Sequence, residues 1–122
     1  MSTINEVMGR VDRLTPNAVE ERDKARWLLE LDGRIYAELT GKDDPETEPA
    51  RSWPEDGDKE LLAAPPYDNI YDLYLQAMIA ANTAEYEVYN NVTVMFLNAY
   101  QQFAAWYRRG HMPEPTYIKG VV

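Results

Sequence analysis

The side chains able to carry chemistry in this chain are few and poorly spaced for it. A single histidine, His111, sits in a Gly-His-Met-Pro stretch beside Arg109, and there is no cysteine. Nothing else supplies an imidazole or thiolate for a nucleophile–base pair or a transition-metal site. The six glycines are scattered, so no phosphate-cradling loop is present. Glu85 and Glu87 are two apart, hence on different faces of a helix, and no Glu-x-x-His accompanies them, unlike the inward carboxylate set of a di-iron bundle. Asp68 and Asp72 share a face at the start of a helix, where acids meet the positive end of its dipole, so capping is their expected role. Asp43, Asp44, Glu46 and Glu48 lack the spacing and closing glutamate of a calcium loop and read as a solvated acidic loop. The expectation is no catalytic residue, no metal site and no cofactor.

Tyrosine points elsewhere. Seven of the nine tyrosines lie between Tyr67 and Tyr107, and a large apolar body with a polar tip suits protein contacts. The same stretch holds most of the apolar side chains in two helix-length segments. In the first, Ile70, Leu73, Tyr74, Ala77 and Ala81 recur at helical spacing, while Tyr71, Leu75, Met78 and Ile79 make the other side apolar too. A helix apolar all round must be buried on most sides. In the second, the ladders Tyr89-Phe96-Phe103 and Val92-Ala99-Trp106 adjoin along one face, with Asn90, Asn98, Gln101 and Gln102 away from it. Between the two, Asn82 suits a left-handed C-terminal position and Thr83 an N-cap.

Upstream, Thr3-Ile4-Asn5-Glu6 is a capping box opening a helix over 3–14, with Ile4, Val7, Met8, Val11 and Leu14 on its apolar face. Proline after Thr15 stops that helix and suits the first position of the next, which Thr15 can cap and which is predicted over 16–40 with Ala25, Leu28, Leu29, Ile35, Tyr36 and Leu39 buried and Gly41 as its stop. Trp27 and Leu31 fall off the main stripe and contact either another helix of the chain or a neighbouring subunit. Residues 41–66, with five prolines, break the helical pattern; Trp53 and Leu61-Leu62 need a surface to lie on, which argues for an extended arm rather than disorder. Helices follow over 68–82 and 84–109. The expected fold is all-α: a small four-helix bundle in one domain, residues 1–112, with a long extended Pro-rich middle arm and an extended C-terminal tail, 113–122. In that tail Tyr117, Ile118, Lys119, Val121 and Val122 make a strand candidate able to add to a partner.

Charge narrows the partners. The net charge of -9 over 122 residues is concentrated in residues 41–60, which carry eight acids and three bases, while residues 61–107 have four acids and no base. The chain lacks the basic stripe that would neutralise phosphates, so tight nucleic-acid binding is not expected, only transient non-specific contact with DNA. The N-terminal segment is polar rather than signal-like and no apolar run has membrane-spanning length, so a soluble protein of the cell interior without a membrane partner is expected.

Two stretches, PYDNIYDLYLQAMI followed by YNNVTVMFLNAYQQFAAWYRR, together with TINEVMGRVDRLTPN, WLLELDGRIYAEL and the LLAAPPYD approach, resemble the head-tail connector, or head-completion adaptor, proteins of long-tailed bacteriophages and prophages. The resemblance covers most of the chain apart from residues 41–60 and the tail. It implies a helical subunit of a dodecameric ring beneath the portal protein, extending the DNA channel and offering a docking surface to the next neck or tail-completion protein. The implied location is the virion neck, after assembly in the host cytoplasm. In that picture residues 117–122 form the portal-binding arm, and Trp27, Trp53, Tyr71, Leu75 and Met78 are candidates for the contact between subunits. A different class, a monomeric acidic regulator or inhibitor binding a host protein, needs rows of carboxylates on a rigid face, whereas the densest acids here lie on a Pro-rich segment. A small enzyme would need a pocket of Tyr, Asp and Arg without His or Cys.

Overall fold

Helix α1 (Ile4–Leu14) begins where the Thr3 hydroxyl accepts the Glu6 amide at 3.2 Å, the N-cap half of the capping box. It ends at Leu14, with the Thr15 amide closing on Val11 O at 2.8 Å and Pro16 unable to continue the ladder. The computed structural model describes residues 2–39 and 51–110. It continues with α2 (Glu21–Glu38), α3 (Asn69–Asn82) and α4 (Tyr86–Gly110). β pairing among the described residues is the single antiparallel bridge between Thr3 and Glu60.

The arrangement explains the all-round apolar pattern over 70–81. Helices α1, α2 and α3 pack against one another, and α4 lies chiefly along α3, so α3 is the middle layer. It buries Ile70, Tyr71, Leu75, Ala77, Ile79 and Ala80. Ile4, Val7 and Val11 from α1 and Leu28, Leu31 and Ile35 from α2 are fully buried in the same core. Phe96 and Phe103 close it from α4. Truncating one of the fully buried leucines or isoleucines to alanine costs about 2–5 kcal/mol.

Two expectations are corrected. Helix α2 starts at Glu21, not at Pro16, and Thr15 does not cap it. Asn17 holds the intervening turn: its Oδ1 accepts the Val19 amide (3.1 Å), and its Nδ2 donates to Asp12 (3.0 Å) and to Thr15 O (2.9 Å). Such side-chain bonds to nearby backbone compete with helix. Lys24, buried within α2, completes the cluster on both Asp12 oxygens at 2.8 and 2.9 Å. The second correction concerns the arm. Its described half, residues 51–66, is a strap laid back on the chain: Leu61 N donates to Ser2 O (2.8 Å), Asn5 N to Gly57 O (3.0 Å), and Leu61 and Ala63 are buried. Burying Leu61 and Ala63 outweighs the reach an extended arm would need. The acids Asp43, Asp44, Glu46 and Glu48, the histidine His111, and Tyr117, Ile118, Lys119, Val121 and Val122 lie outside the described residues.

Candidate functional site

The strap is locked by a buried polar network centred on Asp32 of α2. Its Oδ1 accepts the Tyr71 hydroxyl at 2.6 Å and the Leu62 amide at 3.1 Å, and its Oδ2 accepts Arg51 Nη1 at 3.0 Å. Tyr71 in turn accepts the Ala63 amide at 2.7 Å. Helix α2, both ends of the strap and α3 thus meet on one carboxylate. Desolvation raises the Asp32 pKa above its ordinary value against the lowering pull of Tyr71, the Leu62 amide and Arg51, and burial followed by the nearby Asp32 charge pushes the Tyr71 phenol up strongly. A raised carboxylate is the signature of a general acid only where it faces a substrate. Here the bonds of Asp32 are spent on the chain's own donors, so the arrangement ties elements together.

A second set of ties fixes the N-terminus. Arg10 makes a two-pronged ion pair with Asp72 (3.0 and 2.9 Å) and donates to Ser2 Oγ, which donates to Asp68 at 2.7 Å. Asp68 and Asp72 therefore bind α1 and Ser2 instead of serving as free caps; the Asp68 side chain makes no cap bond to α3. Asn5 accepts Trp53 Nε1 at 3.1 Å and donates to Asp58 at 2.9 Å. Beside it, a shallow pocket of about 430 Å³ is lined by Arg22, Arg26, Leu29, Glu30, Arg51, Ser52 and Trp53. No group of three or more His, Cys, Asp or Glu side chains able to hold a metal ion occurs among the described residues.

The interface candidates divide. Trp27, Tyr71 and Leu75 lie in the chain's own core, at 7 %, 0 % and 0 % exposure. They have no surface left for a neighbour, and Trp27 takes the intrachain alternative. Trp53 and Met78 are half-buried against the core and keep some surface.

The surface that reasoning from sequence missed is on α4. Of its 25 residues only Phe96, Phe103 and Ala104 are buried, while Tyr86, Val88, Val94, Met95, Leu97 and Trp106 are exposed. The two ladders part company: Tyr89-Phe96-Phe103 turns to α3, and Val92-Ala99-Trp106 sits at the rim, half in solvent. Trp106 rests on Tyr67, ring centroids 5.0 Å apart, and still shows 43 % of its surface. The signal was present in Val88 and Met95, seven apart and offset by four from Val92 and Ala99. By helical spacing Val88, Met95 and Trp106 fall on one flank of the helix and Tyr86 and Leu97 on the opposite one. No helix among the described residues is long and apolar enough to cross a membrane. Comparison with protein-family models, with curated proteins and with solved structures finds no match.

Proposed function

We propose that the chain is a structural subunit of the phage neck, a head-tail connector that rings the underside of the portal protein, extends the DNA channel and presents a docking surface to the next neck or tail-completion protein. The observation that carries this reading, beside the resemblance in sequence, is α4: a 25-residue helix that leaves Val88, Met95 and Trp106 exposed on one flank and Tyr86 and Leu97 on another. A subunit with neighbours on both sides needs two such flanks. The absence of any base between residues 61 and 107 suits a channel wall that must let DNA pass without gripping its phosphates. On this reading the protein resides in the virion neck, contacts DNA only in passing and performs no catalysis.

The test is co-sedimentation of the purified chain with a portal ring, or with tailless DNA-filled capsids. Ring-stoichiometric binding, lost on deletion of residues 113–122 with helicity unchanged, is expected. Failure to bind any portal, in a chain that captures host proteins instead, rejects the connector in favour of the acidic inhibitor.

A further inference from the structure

Helix α4 carries a seam of strict heptad spacing on the flank beside its α3 contact. The positions are Glu85, immediately before the helix, then Val88, Val92, Met95, Ala99, Gln102, Trp106 and Arg109, alternating four and three apart. Val88, Met95 and Trp106 are 45 %, 56 % and 43 % exposed, Val92 and Ala99 are half-buried, and Gln102 and both charged ends are exposed. Such a seam is the pattern by which one helix lays itself on another over its whole length, here about 36 Å. Its two ends have opposite charge. A parallel copy would set Glu85 against Glu85 and Arg109 against Arg109; an antiparallel copy sets Glu85 against Arg109 at both ends.

The antiparallel register is self-complementary along its length. Turned end for end about position 97, the seam places Val88 opposite Trp106, Val92 opposite Gln102 and Met95 opposite Ala99, so that a large side chain faces a smaller one at the outer and inner layers. Opposed helix dipoles add to the same preference. The charge and the packing therefore select one occupant and one direction. We propose that two copies of this chain pair through α4, antiparallel, about a two-fold axis that crosses the seam midway between Met95 and Ala99. The pair uses one patch twice, as a two-fold contact must, and leaves the flank of Tyr86 and Leu97 open. It does not depend on the connector reading: the pair covers a flank that reading gives to a ring neighbour and so must part before a ring closes, and a chain that pairs in solution and binds no portal satisfies this proposal and fails that one.

Light scattering on the full-length chain at about 0.1 mM, a concentration at which a weak micromolar pair is populated, is expected to give twice the chain mass. Met95→Glu, at an exposed position that leaves the core untouched, is expected to raise the dissociation constant at least about tenfold with helicity unchanged. Glu85→Lys weakens the pair, and adding Arg109→Glu to it restores the affinity. Direction is read by disulfide formation in a chain that has no cysteine of its own: Met95→Cys mixed with Ala99→Cys cross-links, and Val88→Cys alone does not. A monomer at that concentration, as a tail folded over the seam would give, overturns the proposal. So does a Val88→Cys cross-link to itself, or a dimer indifferent to Met95→Glu.

Discussion

A carboxylate inside a helical core is tolerated only while its oxygens are in use, and Asp32, 4 % exposed, meets that condition with donors from Tyr71, Leu62 and Arg51. Asp32→Ala leaves the half-buried Arg51 guanidinium and the Tyr71 hydroxyl without their acceptor, and a loss of about 3–5 kcal/mol is expected in urea unfolding. Asp32→Asn keeps the shape and loses less, and its use is in the pH profile. Because the folded pKa is raised above its ordinary value of 3.8, the folded chain holds that proton more tightly than the unfolded one. The contribution of Asp32 is thus fully present below 3.8 and lost as pH rises through the raised value. The stability of the native chain relative to Asp32→Asn should fall across that window and then level; a constant difference from about pH 3.5 to about 7 would contradict it. Helical spacing sets Asp32 four after Leu28 and three before Ile35, on the buried stripe of its helix, but says nothing of what pairs with it. Its partners lie up to 39 residues away, and only the fold brings them together.

At the scale of elements, the parts that could be read locally were the ones decided locally. The Thr3 cap, the Pro16 stop and the central placement of α3 all follow from neighbours within a turn or two. The start of α2 did not, because Asn17 and Lys24 answer to Asp12 on another helix, and the strap did not, because Leu61 finds its surface on Ser2 and α1. The α3–α4 turn shows a finer miss. Thr83 spends its hydroxyl on Ile79 O at 2.9 Å, and the left-handed residue is Ala84, φ 59°, not Asn82. Glu85 N reaches back to Ala80 O at 2.9 Å and Ala84 N to Ala81 O at 3.4 Å, the paired bonds of a helix end that glycine usually occupies. Ala84→Gly should therefore stabilise the protein by about 1 kcal/mol, since a Cβ in that conformation is strained; an unchanged or lower urea midpoint would show that the turn bears no strain. On the strap the reverse holds at Gly57, where an added Cβ would lie 2.7 Å from Asn5 Nδ2. Gly57→Ala should displace Asn5 from Trp53 and Asp58, costing about 1–2 kcal/mol with a shift in Trp53 fluorescence.

For the whole molecule the apolar content resolves into two uses that composition alone does not separate. Tyr71, Leu75 and Trp27 belong to the interior, and the surplus that a self-contained fold does not require is gathered on α4. The periodicity of α4 was legible, but whether its second ladder faced the core or solvent depended on how far α1 and α2 extend around α3, a tertiary fact. This division separates the two assembly contacts. The seam from Glu85 to Arg109 is complete before Gly110, so deletion of residues 113–122 should leave the dissociation constant of the α4 pair within about twofold of its native value while abolishing portal binding. Met95→Glu should dissolve the pair in light scattering and leave the tail able to engage the portal in co-sedimentation, but below ring stoichiometry, because Met95 also lies on a flank that faces a ring neighbour. If either change removes both contacts, the tail and α4 act as one surface, and the neighbour on α4 is then the portal or a ring mate held by it, not a second free copy.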